Sequence, residues 1–423
     1  MLHTAVSGLR NSVTADPVTL DTVMHIGSIT KVLNAALMMQ LVDEGRIRLE
    51  DPVEVHLPLL RLRDSHALQH ITCAMLVNHT SGINCSMLSG QGPDKERIED
   101  AITRCAGLGQ IFTPGEATSY CNIATVIAGY LTQTLRRESW YNVIKSRILL
   151  PLEMRHALVD LAELPRFRCS IGDLTDPATG KRTQTTRPYL PLSFAPAGTT
   201  AMMTASDLVT FGRSMISGGV GLNGVRILSQ SSTTLMATAT ASLVLPVGWK
   251  VGLGWMIRPD GILTHGGGGP GIYSTLYAHP LSGRVMALLC NSDNGAGLDS
   301  VFAETLLQQW IGVAQVAKAE RRGTVTDSAC YEGVYELNPF RAEVRREDGR
   351  LTLRFSVTER LYDNMVLPNE VAAIPLKPLS GDCFEVEGMM LRPGKTEVRF
   401  VPGRDGRMRF FAPFKAHLLA RVE

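Results

Sequence analysis

The sequence predicts a mixed α+β (α/β) fold over residues 1–320, a polar linker over 321–328 and a small all-β domain over 329–423. Three stretches carry that reading. Residues 28–44 are apolar on nearly every side, from Val32, Leu33, Ala35 and Ala36 through Leu37, Met38 and Met39 to Leu41 and Val42, and a helix apolar all round is a buried one. From Trp249 the pattern turns to β-type runs at hairpin spacing, Ser274–Ala278 and Arg284–Leu289 among them, which describes an antiparallel sheet. From Tyr331 to Val422 short alternating runs follow one another at roughly ten-residue spacing, the pattern of a small barrel or sandwich.

The elements follow in order. Ala5–Leu9 reads as a short strand and Asp16-Pro17 as a turn. The buried helix starts at Ser28 and stops at Gly45. Thr72 reads as the cap of a short helix over 72–78, which leaves His66 and His70 in the loop before it. Those two histidines lack the glutamate of H-E-x-x-H, so packing or surface roles outweigh metal binding. His79–Ile83 is a turn, 94–107 a helix with one polar face, and Thr113–Glu116 another turn. Tyr120-Cys121-Asn122 runs straight into a helical pattern, and a further helix covers 139–148. Residues 160–195 read as an irregular surface excursion. Ser206-Asp207-Leu208 opens a helix ending near Gly218. Gly219–Gly224 matches G-x-G-x-x-G but follows a helix and not a strand, so it reads as a loop and not a nucleotide site. Residues 299–320 form an amphipathic helix that can pack on the sheet.

Composition narrows the function classes. The 423 residues are 44% hydrophobic and 19% charged, and 42 basic against 40 acidic side chains give a net charge of +2. That is an ordinary globular composition, and its lack of a basic block argues against nucleic acid. No apolar run of about 18 residues predicts a membrane span. Met1–Val6 has neither the charged start nor the apolar core of a leader. The eight cysteines, Cys73, Cys85, Cys105, Cys121, Cys169, Cys290, Cys330 and Cys383, are scattered without a C-x-x-C. In so long a chain they read as reduced thiols, not a disulfide frame or zinc site. The expectation is a cytoplasmic protein with no metal, cofactor, nucleic acid or membrane partner.

The chemistry gathers at His25-Ile26-Gly27-Ser28-Ile29-Thr30-Lys31. Ser28 and Lys31 are three apart at a helix start and share a face. A serine hydroxyl is a weak nucleophile until a neighbour takes its proton. A lysine pressed into an apolar wall loses much of its charge and can serve. Alone, S-x-x-K also describes a helix cap followed by an ordinary lysine. Tyr120 alone is a core aromatic, Asn122 a cap and His265 a strand-end residue.

Together, Ser28-x-x-Lys31, Tyr120-x-Asn122 and His265-x-Gly267 stand in the order and spacing of the serine β-lactamase and penicillin-binding-protein superfamily, which residues 5–315 resemble. His79-Thr80-Ser81-Gly82, Pro114-Gly115 and Gly252-Leu253-Gly254-Trp255 add to the resemblance. It implies an antiparallel sheet flanked by helices, an all-α subdomain, and a site between them. It implies Ser28 as nucleophile, Lys31 as its proton partner and Tyr120 as base or relay to the leaving group. Asn122 would bond the substrate amide or Lys31. His265, with Gly267, replaces the K-T-G motif at the sheet edge. The backbone N–H groups of Ser28 and Gly268 would form the oxyanion hole. Acyl transfer needs such a nucleophile, proton shuttle and donor pair.

The departures steer the reading. His-x-Gly in place of Lys-Thr-Gly is similar to the class C-like, esterase, D-aminopeptidase and acyltransferase branches, and removes the lysine that would meet a β-lactam carboxylate. No class A type E-x-x-x-N loop is visible, so the deacylating nucleophile stays open. Only 27 residues precede Ser28, fewer than the resemblance implies, which suggests a shortened start or a sheet lacking an edge. The C-terminal region resembles the lipocalin-like barrel of D-aminopeptidases and of penicillin-binding-protein-type thioesterases that cyclise peptides. The expected function is a serine acyl-enzyme hydrolase or acyltransferase. It would act on a small-molecule or peptide ester, thioester or amide, with water or an amine as acceptor, and its reach extends to amide-forming transacylation or macrocyclisation in natural-product assembly. A β-lactamase, D-amino-acid peptidase or carboxylesterase, and a non-catalytic binding protein on the same scaffold, are the alternatives. Substrate, acceptor and oligomeric state are open at this point.

Overall fold

The computed structural model describes residues 2–86, 97–176, 179–186, 190–312, 329–358, 372–389, 392–414 and 416–423. Its centre is the Thr30–Asp43 helix, entered through a tight turn at Gly27–Ile29. Every residue from Thr30 to Leu41 is buried, as the all-round apolar pattern predicts. Gly45 follows the Glu44 cap at a φ of 67°, the left-handed stop that glycine supplies. The helix packs against Asn122–Arg136 and Trp140–Ile144. Asn34 ties the three together: its amide donates to the Thr125 carbonyl at 2.9 Å and its carbonyl accepts the Trp140 indole N–H at 2.9 Å. A polar group in so apolar a core survives because both ends of its amide are bonded.

A six-stranded antiparallel sheet flanks this helical layer. Its order is Arg284–Cys290, Ile272–His279, Leu263–Gly269, Met256–Ile257, Lys250–Val251 and Ala241–Ser242. His265 lies opposite Leu276, and Gly267 opposite Ser274. The Ala205–Ile216 and Gly295–Leu306 helices pack against the two long strands at Ile272–His279 and Arg284–Cys290. The Thr22–His25 strand joins a separate four-stranded sheet with Ala157–Leu158, Met202–Met203 and Arg168–Cys169.

The C-terminal region is a nine-stranded antiparallel sheet. Its two edge strands, Ile374–Pro375 and Lys377–Pro378, are separated by one residue, so the edges meet at a corner and the barrel is nearly closed. The last strand, Leu419–Arg421, slots between Gly333–Leu337 and Met408–Ala412. The interior is filled by rings: Tyr335, Phe355, Phe384, Phe400 and Phe411 are fully buried, with Phe400 centred 4.8 Å from Phe411 and 5.5 Å from Phe384. That core also takes in Ile111, Phe112, Leu190 and Leu245 from the earlier part of the chain.

Several local expectations need correction. The first strand is Leu9–Asn11 and not Ala5–Leu9, and its partner is Asp16–Pro17, read above as a turn. His66 and His70 lie in a helix, Ser65–His70, because the Asp64 carboxylate caps it by accepting the Ala67 N–H at 2.9 Å. Their rings sit 4.6 Å apart. The 160–195 stretch is not wholly superficial. It feeds a buried turn at Leu192–Ala197, which reaches the Asn122–Arg136 helix where Gly129 makes room: a Cβ there would stand 2.5 Å from Pro196. The last helix of the first part begins at Gly295 and not at 299, and continues as a wider turn over Leu307–Ile311. The expected linker at 321–328 and the start of the 94–107 helix lie outside the described residues.

Candidate active site

Ser28 stands on a turn that backbone packing forces. Gly27 has a φ of 52°, and a Cβ on it would lie 2.8 Å from both the Gly267 Cα and the Gly268 nitrogen. Only glycine lets the turn press on the strand this closely. Residue 267 is bound by the same approach, since a Cβ there would fall 2.1 Å from the Ile26 carbonyl oxygen. Ser274 Oγ donates to that carbonyl at 2.7 Å. His25 Nδ1 accepts the Gly27 N–H at 3.0 Å, and its Nε2 donates to the Thr199 carbonyl at 2.9 Å. The two expected oxyanion donors, the backbone nitrogens of Ser28 and Gly268, thus belong to neighbouring stretches of backbone.

Lys31 is 2% exposed, and its Nζ reaches Ser28 Oγ at 3.0 Å and the Ala197 carbonyl at 2.6 Å. Among the described residues no carboxylate pairs with it. Burial without a counter-charge holds its pKa well below the lysine range. In the neutral amine the 3.0 Å contact reverses direction, and the Ser28 hydroxyl donates to the Nζ lone pair.

Tyr120 stands beside this pair. Its phenol lies close enough to Ser28 for the two hydroxyls to interact, and its ring centre is 4.8 Å from Lys31 Nζ. Burial raises the phenol's pKa above the usual tyrosine value, against a smaller opposing pull from Ser28. Ser28 therefore shares its surroundings with an amine that sheds its proton easily and a phenol that keeps its own. Asn122, the first residue of its helix, donates its amide to the Ser86 carbonyl at 2.7 Å. Lys31 spends its bonds on Ser28 and Ala197 instead.

His265 is 3% exposed at the sheet edge, and its ring centre lies 6.3 Å from that of Tyr120. Its Nδ1–H donates to the Gly266 carbonyl at 2.8 Å, and its buried Nε2 has no partner among the described residues. Burial, helped by Lys31, pushes its pKa down to about 3, so Nε2 is a neutral acceptor. Gly268 is exposed, and a Cβ on it would meet nothing closer than 4.0 Å. Every sequence-predicted residue, Ser28, Lys31, Tyr120, Asn122, His265, Gly267 and Gly268, comes to this one place. Two surface grooves, one lined by Arg97, Tyr130 and Tyr141 and the other by Gln40, Asp43 and Arg226, lie elsewhere and hold none of them.

Three more histidines surround the site, and sequence reasoning gave none of them a role. His25 fixes the Gly27 turn. His79 has its ring centre 4.4 Å from that of Tyr120, accepts the Cys121 N–H on Nδ1 at 3.3 Å and accepts the Ser119 N–H on its carbonyl at 2.9 Å. His417 comes from the barrel, with its ring centre 5.2 Å from that of Tyr120. A histidine inside an H-T-S-G turn is a legible cue for His79. No local pattern marks His417.

The profile of the beta-lactamase family matches residues 2–308. Penicillin-binding protein 4 of Amycolatopsis lactamdurans is 32% identical over 319 residues, covering 74% of this chain and 82% of its own. A crystal structure of SurE aligns over 98% of this chain and 91% of its own with a TM-score of 0.76, at 23% identity, a likeness of fold. A D-stereospecific amidohydrolase from Streptomyces sp. is 26% identical with a TM-score of 0.57, over 70% of this chain and 88% of its own. A helix-and-sheet fold with a serine and a buried lysine one turn apart defines a class, the β-lactamase-like serine hydrolases. The chain belongs to the beta-lactamase family.

Proposed function

We propose that the protein is an acyl-enzyme catalyst in which Ser28 is the nucleophile, Lys31 its base and Tyr120 the proton relay. One observation carries this: a buried lysine with a lowered pKa lies 3.0 Å from Ser28 Oγ, with the Tyr120 ring centred 4.8 Å from its Nζ. Ser28 Oγ bonds to the acyl carbon as its proton passes to Lys31. The carbonyl oxygen gathers negative charge against the backbone N–H groups of Ser28 and Gly268. As the intermediate collapses, the bond to the leaving group breaks. Tyr120 gives that group a proton and is resupplied by Lys31. Water or an amine then attacks the ester by the reverse proton path, releasing an acid or an amide.

The acyl donor is an ester, thioester or amide of a small molecule or peptide. The neutral His265 Nε2 supports a donor that presents an N–H or O–H to it, where a lysine would welcome a carboxylate. Transfer to an amine extends the reaction to amide-forming transacylation or macrocyclisation. Among the described residues the eight cysteines form no disulfide, which supports a cytoplasmic setting, and no helix is long and apolar enough to cross a membrane. A second reading, hydrolysis of D-amino-acid amides, draws on the D-stereospecific amidohydrolase among the relatives.

Intact-protein mass spectrometry with a p-nitrophenyl ester, an acyl thioester, a D-amino-acid amide and a penicillin, each with and without an added amine, tests both. An adduct on Ser28 that clears faster with amine supports acyl transfer. Clearance by water alone supports a hydrolase, and the D-amide as best donor supports the second reading. Failure of a fluorophosphonate to label Ser28 overturns both in favour of a binding protein.

A further inference from the structure

We propose that His417, carried on the barrel, is a positioning residue for Tyr120, so that the C-terminal domain completes the acyl-transfer site. The proposal rests on the reading of Tyr120 as proton relay.

The Tyr120 stretch is held largely from outside its own domain. The Tyr120 N–H donates to the Ala416 carbonyl at 2.5 Å. Ser119 Oγ accepts the Leu418 N–H at 3.0 Å. Ala416 is itself fixed, its N–H donating to the Leu245 carbonyl at 2.9 Å. Between these two backbone anchors, His417 lays its ring beside that of Tyr120, with centres 5.2 Å apart and planes tilted by 43°. On another side the His79 ring is centred 4.4 Å away. The phenol is thus gripped by one imidazole from each domain.

The grip reaches Asn122 as well. His417 Nε2 lies 3.3 Å from Ser86 Oγ, and the Ser86 carbonyl accepts the Asn122 amide at 2.7 Å. The Ser86 N–H donates to the barrel's Asn338 carbonyl at 2.8 Å. Both named residues of Tyr120-x-Asn122 are therefore tied to the barrel within one or two bonds. His417 cannot drift freely, because its ring is wedged against Phe414 at 4.5 Å and Phe340 at 6.0 Å. A barrel whose interior is filled with aromatic rings offers its rim more readily than its lumen.

The physics favours holding by the ring. A flat face against a phenol restricts its tilt, and a misplacement of about 1 Å in a proton relay can cost about 100-fold in rate. His417→Ala removes both face and Nε2, His417→Phe keeps the face alone, and Ser86→Ala removes the hydroxyl that lies 3.3 Å from Nε2. The readout is the second-order rate of Ser28 acylation by a p-nitrophenyl ester, with thermal unfolding as a folding control. We expect His417→Ala to slow acylation by about 100-fold at an unchanged unfolding temperature, His417→Phe to recover most of that loss, and Ser86→Ala, which keeps the carbonyl that holds Asn122, to lose far less than His417→Ala. Wild-type rates in His417→Ala, or equal losses in the folded Ala and Phe variants, overturn the proposal. A readout independent of turnover uses ¹⁹F NMR of protein carrying 3-fluorotyrosine at its nine tyrosines, with the Tyr120 line assigned through Tyr120→Phe. That line should move in His417→Ala and return toward its place in His417→Phe; a line that stays put overturns the clamp. If the wild type is never acylated, the relay reading fails while the fluorine line still decides the contact.

Discussion

The two halves of the candidate site are built in opposite ways. The Ser28–Lys31 half is made within the helix-and-sheet part of the chain. Its turn is pinned by glycine-to-backbone contacts at 27 and 267, by Ser274 and by His25, and its amine is tuned by the apolar helix that carries it. The Tyr120 half borrows its support, with a carbonyl, a hydroxyl partner and a ring arriving from the far end of the chain. Lys31, the proposed base, is tuned by burial, a property of the core. Tyr120, the proposed relay, is aimed by contact, a property of an interface. Interfaces between domains are smaller and more polar than cores, so the relay is the half that changes outside the catalytic core reach most readily.

The sharpest break comes from removing the nucleophile. Ser28→Ala should lower acyl turnover by about 10⁴-fold or more without unfolding the protein, measured by ester hydrolysis and by loss of the mass-spectrometric adduct. Retained turnover would place the chemistry elsewhere.

Next is Lys31→Met, with an expected loss of about 10³-fold in acylation. The wild-type rate should rise with pH as Lys31 loses its proton, well below the lysine range. His265, neutral above about 3, and Tyr120, raised by burial, add no limb near neutrality. The same shift has a stability sign. Between the lowered folded value and 10.5 the unfolded chain holds a proton that the folded chain has released. Stability therefore climbs with pH across that window. Urea unfolding at about pH 6 and about pH 9 should show the slope in wild type and a flatter one in Lys31→Met. An identical slope in both would remove the burial account of the amine.

Tyr120→Phe tests the borrowed half. It keeps the ring in its cage and deletes the proton, so acylation should fall by about 100-fold with little change in KM. An unchanged kcat would exclude a relay role.

The smallest effect separates a decorative interface contact from an aiming one. Arg409 of the barrel pairs with Glu116, its Nη2 3.0 Å from Oε2, with both side chains substantially exposed. Arg409→Ala should cost at most about 1 kcal/mol of stability and leave acylation untouched. A large kinetic loss would mean that the whole interface, and not the ring of His417, aims Tyr120.

Legibility follows the same division. Ser28, Lys31, Tyr120, Asn122 and His265 are bland one at a time; what singles them out is three short motifs standing together in a family's order and spacing. The buried helix and the alternating barrel strands are readable because hydrophobic patterning is local. The Ser65–His70 helix was misread because Thr72 drew the cap assignment away from Asp64, the residue that makes the bond. His417 was invisible. Ser119 and Leu418 lie 299 residues apart, and no periodicity links them. What places them together is a barrel edge closing and a strand sliding into its slot, facts of tertiary packing that no window of sequence holds.

That slot also sets a timetable. The Leu419–Arg421 strand fills its gap only after everything before it has been made. At about 5–20 residues per second on the ribosome, Ser119 waits tens of seconds for Leu418. During that interval the nascent chain already carries Ser28 and Lys31, while the relay lacks its clamp. On the proposed roles, a product stopped before Leu418 would carry Ser28 and Lys31 without the ring that aims Tyr120.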